Sequence, residues 1–255
     1  MKTQSKYRIK VLEKALKILE LFDEEGKELT VTEISAGLDL NKPSTFRILS
    51  NLEDFSYLDK DPKTLRYCLG SKLYHLGMLA EPHVRIKKMA GPFLKRMNEQ
   101  CHETVHLAVL HQGEALYVDK IEGKRTIRVI TRVGAKLPAH CSGVGKVLLS
   151  ALQEEALVKA LLKKGLTRFT ENTITELDAL KLELTECGKR GYALDNEEIE
   201  EGLKCVAAPV HEEGRIVAAI SISAHSERFN KERSRYISIV MKTAKAISNA
   251  LSPHE

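Results

Sequence analysis

Apolar and polar positions in the first part of the chain follow a helical period. The pattern predicts three helices, over residues 8–22, 31–37 and 42–54. The second helix carries a capping-box signature, because Thr30 is followed three residues later by Glu33. The third helix is predicted to turn four apolar side chains inward: Ile48, Leu49, Leu52 and Phe55. Short helices in close succession indicate a small helical unit at the front of the chain.

After the third helix, the pattern of apolar and polar positions predicts short strands instead of helices. Residues 57–60 and 66–69 are strand candidates around the turn Asp61-Pro62-Lys63-Thr64. A helix over residues 71–80 follows, and Pro82 marks a domain boundary. Two short helices joined by a tight turn and followed by a hairpin predict a winged helix-turn-helix.

The rest of the chain mixes helices with hairpins. Helices are predicted at about 84–100, 146–152, 153–163, 176–189 and 230–251. Strands are predicted at 105–110, 115–121, 126–133, 192–194, 205–210 and 216–223. A loop rich in proline and glycine, residues 134–145, leads into the helix at 146. Because the helices lie outside the hairpins, the fold class is α+β, with a mainly antiparallel sheet flanked by helices.

Composition narrows the class of protein. The chain has 255 residues, of which 43% are apolar and 29% charged, as is typical of globular proteins. It has no apolar run long enough for a membrane span and no secretory signal, so we expect a cytoplasmic protein without a membrane partner. The five cysteines are widely spaced, with no CxxC pair. We therefore expect no metal site and no cofactor.

The positions of the charged residues are more informative than the net charge. The net charge of +5 is compatible with nucleic acid but does not require it. Basic residues gather at the N-terminus, in the third helix and in the hairpin, where they are able to reach phosphates. Solvated surface lysines are the alternative interpretation, and a protein-binding module is another.

The third helix has the composition of a recognition helix. Asn41 caps its start, and Ser44, Arg47 and Asn51 share one face at positions i, i+3 and i+7. Arginine suits guanine edges and asparagine suits adenine. Two further residues, Lys42 and Thr45, lie at the end of the helix that enters the major groove. Three hairpin residues are predicted to contact the DNA backbone or minor groove: Lys60, Lys63 and Arg66.

Three segments together resemble the IclR family of regulators over about residues 8–251. They are the helix-turn-helix stretch LTVTEISAGLDLNKPSTFRILSNLEDFSYL, the loop and helix PAHCSGVGKVLLSAL, and the stretch GYALDNEEIEEGLKCVAAPV. The last carries the family's signature spacing at Gly191, Asp195, Glu198, Cys205, Val206, Ala207 and Val210. Ser56, Pro43 and Glu212 depart from the family pattern. Ser56 stands where glycine is usual, so it has to accept a left-handed turn.

The resemblance implies a ligand-responsive transcription regulator that is not an enzyme and acts as a repressor. It implies a DNA-binding domain over residues 1–70, a linker helix over 71–82 and an effector-binding domain over 83–255. The implied partners are operator double-stranded DNA, a small organic acid or related metabolite, and further copies of the chain as a homodimer or a dimer of dimers. The effector-binding positions carried over are Val129, Gly143, Val144, Asp195, Cys205, Ser221 and Ser223.

The residue types at these positions are suited to a small ligand, independently of the resemblance. Ser221 and Ser223 alternate along a strand, so both hydroxyls face one side of the sheet. Two hydroxyls, the Cys205 thiol and loop N–H groups suit a carboxylate, and Asp195 suits a ligand hydroxyl or a protonated group. The alternative is that the two serines line the solvent side of the sheet.

A second hypothesis is an enzyme acting on small carboxylates, with Cys205 or Asp195 catalytic. No neighbouring motif supports it, and such an enzyme does not need the module at 1–70. His102 and His106 have helical metal-ligand spacing, but the segment from Thr104 alternates like a strand, which predicts His106 in a sheet. The acidic run 197–201 is expected to be a solvated loop.

Overall fold

The computed structural model divides the chain into two compact units, residues 1–81 and 82–255. The residues that it describes are 9–23, 26–79, 83–124 and 131–252. Several positions singled out in the sequence lie outside these ranges: the N-terminal Lys2, Lys6 and Arg8, the boundary residue Pro82 and the pocket candidate Val129. Within the described part of the chain, no helix is both long enough and apolar enough to cross a membrane.

The first unit has the element order of a winged helix-turn-helix. Its elements are α1 (Lys10–Glu20), α2 (Val31–Gly37), α3 (Lys42–Asp54), β1 (Leu58–Lys60), β2 (Tyr67–Leu69) and α4 (Ser71–Leu79). The capping box is confirmed, since the Glu33 N–H donates to the Thr30 hydroxyl and the Thr30 N–H donates to the Glu33 carboxylate at 2.7 Å. Asn41 caps α3 by accepting the Ser44 N–H at 2.9 Å. Local capping therefore sets where both helices begin.

The core of the first unit is shared between the helices and the hairpin. Its fully buried members are Ile18, Ile34, Leu49, Leu58 and Tyr67. The prediction that Phe55 faces inward is wrong, because its side chain is 68% exposed. Helix α3 ends at Asp54, and Leu58 and Tyr67 from the hairpin contribute to the core at this end of the unit. The helical period therefore does not extend to Phe55.

The turn after α3 requires a left-handed residue, as the sequence predicts. Ser56 has φ +59°, which is uncommon for a residue with a side chain. Its N–H donates to the Glu53 carbonyl at 2.8 Å. The strand that closes the hairpin passes so near that a Cβ on Gly70 would lie 2.3 Å from the Ser56 carbonyl oxygen. The glycine that this turn needs for space is thus Gly70, while Ser56 accepts the unusual dihedral angle.

The second unit is built on a six-stranded sheet. Its elements are α5 (His83–Cys101), β3 (Thr104–His111), β4 (Glu114–Ile121), β5 (Lys136–Pro138), α6 (Gly143–Leu149), α7 (Glu154–Lys164), α8 (Leu177–Arg190), β6 (Ala193–Asn196), β7 (Leu203–Glu212), β8 (Arg215–His225) and α9 (Ser226–Leu251). The strand order is β5-β4-β3-β8-β7-β6, and every neighbouring pair is antiparallel. The predicted α+β class with an antiparallel sheet is confirmed.

The two faces of the sheet are covered by different helices. Ile220 and Ile222 pack with residues of α5 and α9 on one face, in the larger apolar core. Ala219 packs with residues of α6 on the other face. Ser221 and Ser223 share the face of Ala219 because side chains alternate along β8. Both serines are buried, so the alternative that they face solvent is wrong.

The segment between β4 and α6 differs most from the prediction. Residues 126–130 of the predicted strand lie outside the described residues, and 131–133 form no strand. A short strand, β5, pairs instead with β4 through Lys136–Pro138. Helix α6 begins at Gly143, earlier than predicted, because the Ser142 side chain caps it by accepting the Gly145 N–H at 3.2 Å.

Candidate DNA-binding surface and ligand cavity

Helix α3 presents polar side chains along the face predicted to read DNA. Lys42, Arg47 and Asn51 are exposed, and Ser44 is half-buried. The Arg47 guanidinium forms no ion pair with any of the described residues, so it is available to a base or a phosphate. One Asn51 amide hydrogen is used locally, since its nitrogen donates to the Arg47 carbonyl at 2.8 Å. The Asn51 amide oxygen stays available to a partner.

Thr45 does not belong to this surface. Its side chain is fully buried, and its hydroxyl donates to the Asn41 carbonyl at 3.1 Å. The prediction that Thr45 contacts DNA is therefore wrong. The prediction placed Thr45 on the DNA-binding surface because it lies in the first turn of α3. Its side chain is rotated by about 100° around the helix axis from that of Ser44, and this rotation turns it inward.

The hairpin places its three basic residues in different environments. Lys63 is exposed in the turn, where its N–H donates to the Asp61 carboxylate at 2.7 Å. The Lys60 ammonium lies over the rings of Phe46 and Tyr67, 5.8 Å and 5.3 Å from their centroids, which holds the hairpin against α3.

Arg66 faces helix α2. Its guanidinium donates to the Glu28 carbonyl at 2.9 Å and pairs with the Glu33 carboxylate at 3.4 Å. Of the three, Lys63 is thus the freest to contact a phosphate.

A cavity of about 180 Å³ lies between the sheet and the start of α6. Five predicted effector positions line it: Gly143, Val144, Asp195, Cys205 and Ser223. Leu137, Ile199 and Leu203 add apolar walls. Helix α6 approaches the preceding loop closely, because a Cβ on Gly145 would lie 2.4 Å from the Ala139 backbone. The fold thus brings together residues from the loop, from β6 and β7, and from β8.

Ser221 does not line the cavity, so its predicted direct contact with an effector is not supported by the geometry. Its hydroxyl lies 3.4 Å from Nδ1 of His106, and Nε2 of the same ring lies 2.7 Å from the Thr131 hydroxyl. The His106 ring stacks on Tyr117 with centroids 4.4 Å apart. Burial, with a smaller contribution from Lys120, lowers the pKa of His106 to about 3, so the ring is neutral. Ser221 thereby supports the cavity wall through His106.

Seven lining residues were not among the predicted effector positions, and four of them are polar: Tyr117, Thr131, Ser142 and Glu200. Tyr117 lies on β4, where alternation along the strand indicates which side chains share a face but not which of them borders a cavity. Thr131 belongs to the predicted strand 126–133, of which residues 126–130 lie outside the described residues. The sequence predicted His106 in the sheet, and a buried imidazole requires polar partners. A search for the partners of His106 could therefore have indicated Thr131, whose hydroxyl lies 2.7 Å from Nε2 of the ring.

Two groups of the cavity, Asp195 and Cys205, are shifted toward their protonated forms. Burial raises the pKa of Asp195 to about 7, although N–H groups of Glu198 and Ile199 oppose the shift. Burial also raises the pKa of the Cys205 thiol to about 12, so the thiol stays protonated. Ser223 donates to the Cys205 sulfur at 3.2 Å. A protonated thiol is a poor nucleophile, which argues against a catalytic Cys205.

Replacement of Asp195 by asparagine is expected to flatten the pH dependence of stability. The folded protein holds a proton on Asp195 up to about pH 7, whereas an unshifted carboxyl with a pKa of 3.8 releases it earlier. The free energy of unfolding contributed by this group therefore falls as the pH rises through that window. Urea unfolding across the window should show a smaller fall for Asp195→Asn than for the wild type. The exposed Asp178→Asn is the control, and equal slopes for all three proteins would contradict the assigned pKa.

The acidic run after Asp195 is not wholly solvated, which corrects the expectation for this loop. Glu198 is 4% exposed and pairs with the buried Lys146 ammonium at 2.5 Å. Its N–H donates to the Asp195 carboxylate at 2.8 Å. Lys146 belongs to α6, so this pair ties the helix over the cavity to the turn that carries Asp195.

Comparison with known proteins decides the family. The model of the bacterial transcriptional regulator IclR C-terminal domain matches residues 79–249, and that of the IclR helix-turn-helix domain matches residues 11–62. The chain belongs to the IclR family. The IclR-type helix-turn-helix and C-terminal domains make it a DNA-binding transcription regulator, as the sequence predicted.

Relatives of this IclR-family chain are named as transcription regulators and not as enzymes. The chain is 36% identical over 245 residues to the HTH-type transcriptional regulator XynR of Escherichia coli, covering 95% of this chain and 97% of XynR. It is 36% identical over 244 residues to the HTH-type transcriptional repressor AllR of Klebsiella pneumoniae, covering 94% and 89%. The regulatory hypothesis is therefore favoured over the enzymatic one.

Solved structures of IclR proteins share the whole fold. The Thermotoga maritima IclR structure superposes with a TM-score of 0.79 at 31% identity, covering 96% of this chain and 99% of that one. An IclR homologue from Microbacterium hydrocarbonoxydans, solved with 4-hydroxybenzoate, gives a TM-score of 0.86 at 24% identity, covering 94% and 98%. At that identity the second likeness supports the fold alone.

Proposed function

We propose that this IclR-family regulator is a repressor whose operator binding is controlled by a small organic acid. The observation that carries the proposal is the buried cavity under α6, in which polar groups from three segments converge. Cys205 and the protonated form of Asp195 are hydrogen-bond donors, and the Ser223 hydroxyl becomes a third when it rotates from the Cys205 sulfur to a bound carboxylate, which accepts from all three. The similar protein AllR is named a repressor, which supports repression and not activation as the role of this chain.

The size of the cavity narrows the class of effector. Its volume of about 180 Å³ is below the roughly 300–1,000 Å³ of pockets that hold drug-sized ligands. An acid of a few carbon atoms is expected to fit without rearrangement, with its apolar part against Val144, Leu137 and Leu203. The homologue solved with 4-hydroxybenzoate shows that a protein of this fold binds a small carboxylic acid, and at 24% identity it says nothing about which acid this chain binds.

The DNA contacts are proposed for one face of the first unit. Arg47 and Asn51 read base edges, while Ser44, Lys42 and Lys63 contact phosphates or the groove edge. Lys60 and Arg66 contribute through the shape of the hairpin, since both are engaged within the chain. The division into residues 1–70, 71–82 and 83–255 stays a prediction.

The proposed mechanism is a shift between two arrangements of an oligomer. A homodimer, or a dimer of dimers, presents two copies of α3 to half-sites about one helical turn or a multiple of it apart. An acid that binds one arrangement more tightly shifts the population and changes the fit to the operator. The shift is limited by the difference between its two affinities.

A thermal-shift screen with short organic acids, followed by DNA binding, tests the proposal. An acid that binds the folded state is expected to raise the unfolding temperature, and the same acid should release the operator. DNA binding should also weaken steeply with salt, because phosphate contacts release counterions. The repressor proposal fails if the acids that stabilise the protein leave operator affinity unchanged.

A further inference from the structure

The cavity of about 180 Å³ under α6, for which a carboxylate is proposed, has no cationic wall. None of the described residues that line it is a lysine, an arginine or a histidine. Its lining includes two acidic residues instead, the buried Asp195 and the exposed Glu200. A carboxylate that enters as an anion therefore meets like charge and no compensating cation, which is unfavourable in a space shielded from water.

The ion pairs beside the cavity leave Asp195 without a cation of its own. The Lys146 ammonium pairs with Glu198 at 2.5 Å, and the Arg190 guanidinium pairs with Glu183 at 2.6 Å. In the described part of the chain, Asp195 forms no ion pair and accepts backbone N–H groups, with that of Glu198 at 2.8 Å. The negative charge of an ionised Asp195 is therefore in excess of the positive charge around it.

The other titratable groups around Asp195 do not supply the missing positive charge. Lys204 of β7 and Arg233 of α9 are near Asp195, but neither lines the cavity that holds Cys205 and Ser223. Burial raises the pKa of three further groups, on β4, on the loop before α6 and on β7, so all three are neutral: Tyr117, Cys141 and Cys205. Asp195 is thus the buried group of the cavity wall that is able to take up a proton when an anion enters.

We propose that the cavity binds a monocarboxylate together with one proton, which the ligand and Asp195 share. This inference rests on the proposed function and adds what the site requires of its effector. Two carboxylates that lie side by side in a buried site do not both stay ionised, so an ionised Asp195 takes a proton from solvent as the acid binds. A dicarboxylate brings a second charge without a second proton site, so the cavity selects against it.

Binding of the acid is therefore expected to weaken as the pH rises above about 7. Burial raises the pKa of Asp195 to about 7, so below this pH the free protein already holds the proton and the affinity for the acid is constant. Above it, each pH unit should lower the affinity by about tenfold, because the proton has to be taken up first. The acid should then release the operator less readily in alkaline solution than in neutral solution.

Isothermal titration of the full-length wild-type protein with propionate measures the proton directly. At about pH 8, the difference in heat between HEPES and Tris, two buffers of different ionisation enthalpy, should report an uptake of about 0.9 proton per propionate bound. At about pH 6, in MES and Bis-Tris, the uptake should be about 0.1 proton and the Kd about tenfold lower. Malonate, a dicarboxylate with the same number of carbon atoms, should bind at least about tenfold more weakly than propionate at about pH 7.

The variant Asp195→Asn separates proton uptake from binding. The amide donates a hydrogen bond as the protonated carboxyl does but does not titrate, so propionate should bind this variant with the same Kd at both pH values and without proton uptake. Glu200→Gln removes the exposed carboxylate of the same cavity and should keep both the uptake and the tenfold fall.

Three results would overturn the inference and leave the proposed function standing: propionate binding to the wild type at about pH 8 without proton uptake, proton uptake that persists in Asp195→Asn, or malonate binding as tight as that of propionate. No saturable binding of propionate at about pH 6 up to about 50 mM would overturn both. The wild-type titration decides the matter even where a variant does not fold.

Discussion

Replacement of Arg47 by alanine is expected to weaken operator binding by about 1–3 kcal/mol, or roughly 5- to 150-fold in Kd. The side chain is exposed on α3, and none of the residues described in the first unit forms an ion pair that competes with DNA for it. A bidentate contact to a guanine edge is the interaction that such an arginine makes in the major groove. The loss should be larger on the operator than on random DNA, because a base contact carries sequence information.

The operator for this measurement is the sequence that the protein selects from a randomised DNA pool. Arg96→Ala is the matched control, since it removes an exposed arginine from α5 in the second unit. Lys63→Ala is a second comparison and should weaken binding about equally on all sequences, with a salt slope smaller by about 1. A Kd for Arg47→Ala that matches that of Arg96→Ala on the operator would show that α3 is not the recognition helix.

Replacement of Ser223 by alanine is expected to abolish the response to the acid at concentrations that act on the wild type. A hydrogen bond to a charged group contributes about 1.5–3 kcal/mol, so the acid should bind roughly 10- to 150-fold more weakly. Ser223 borders the cavity directly, next to the Cys205 thiol. Operator affinity without the acid should be unchanged, because the residue lies in the second unit and removing a hydroxyl leaves β8 intact.

Ser221→Ala separates this role from that of a merely buried serine. Both residues lie on the same face of β8 and both are buried, but Ser221 hydrogen-bonds to His106 and does not border the cavity. Its replacement should therefore reduce the affinity for the acid less than that of Ser223. Titration of each variant with the acid found by thermal shift measures the difference. Equal loss in both variants, or no loss for Ser223→Ala, would mean that the acid binds elsewhere.

Local signals explain why the first unit was largely predictable. Thr30, Glu33 and Asn41 determine the starts of α2 and α3 within a few residues of sequence, and the structure shows the hydrogen bonds that these residues predict. The outward position of Phe55 depends on how Leu58 and Tyr67 of the hairpin close the core. That closure is a tertiary effect, which the helical period alone does not contain.

The cavity was predictable in its residue types but not in its boundary. Alternation along β8 places Ser221 and Ser223 on one face, and the family resemblance selected the right segments. Which of the two borders the cavity depends on His106 and Tyr117, which come from β3 and β4 and fill the space over Ser221. The burial of Glu198 likewise follows from Lys146, 52 residues away, and not from the acidic run around it.

Operator affinity measured with and without the acid tests most directly whether the ligand cavity controls DNA binding. Fluorescence anisotropy of labelled operator with the full-length protein should give a Kd that rises when the acid is added. The operator should weaken binding of the acid by the same factor, as linkage requires. An acid that occupies the cavity, as shown by its loss of binding to Ser223→Ala, and yet leaves the operator Kd unchanged would contradict the account.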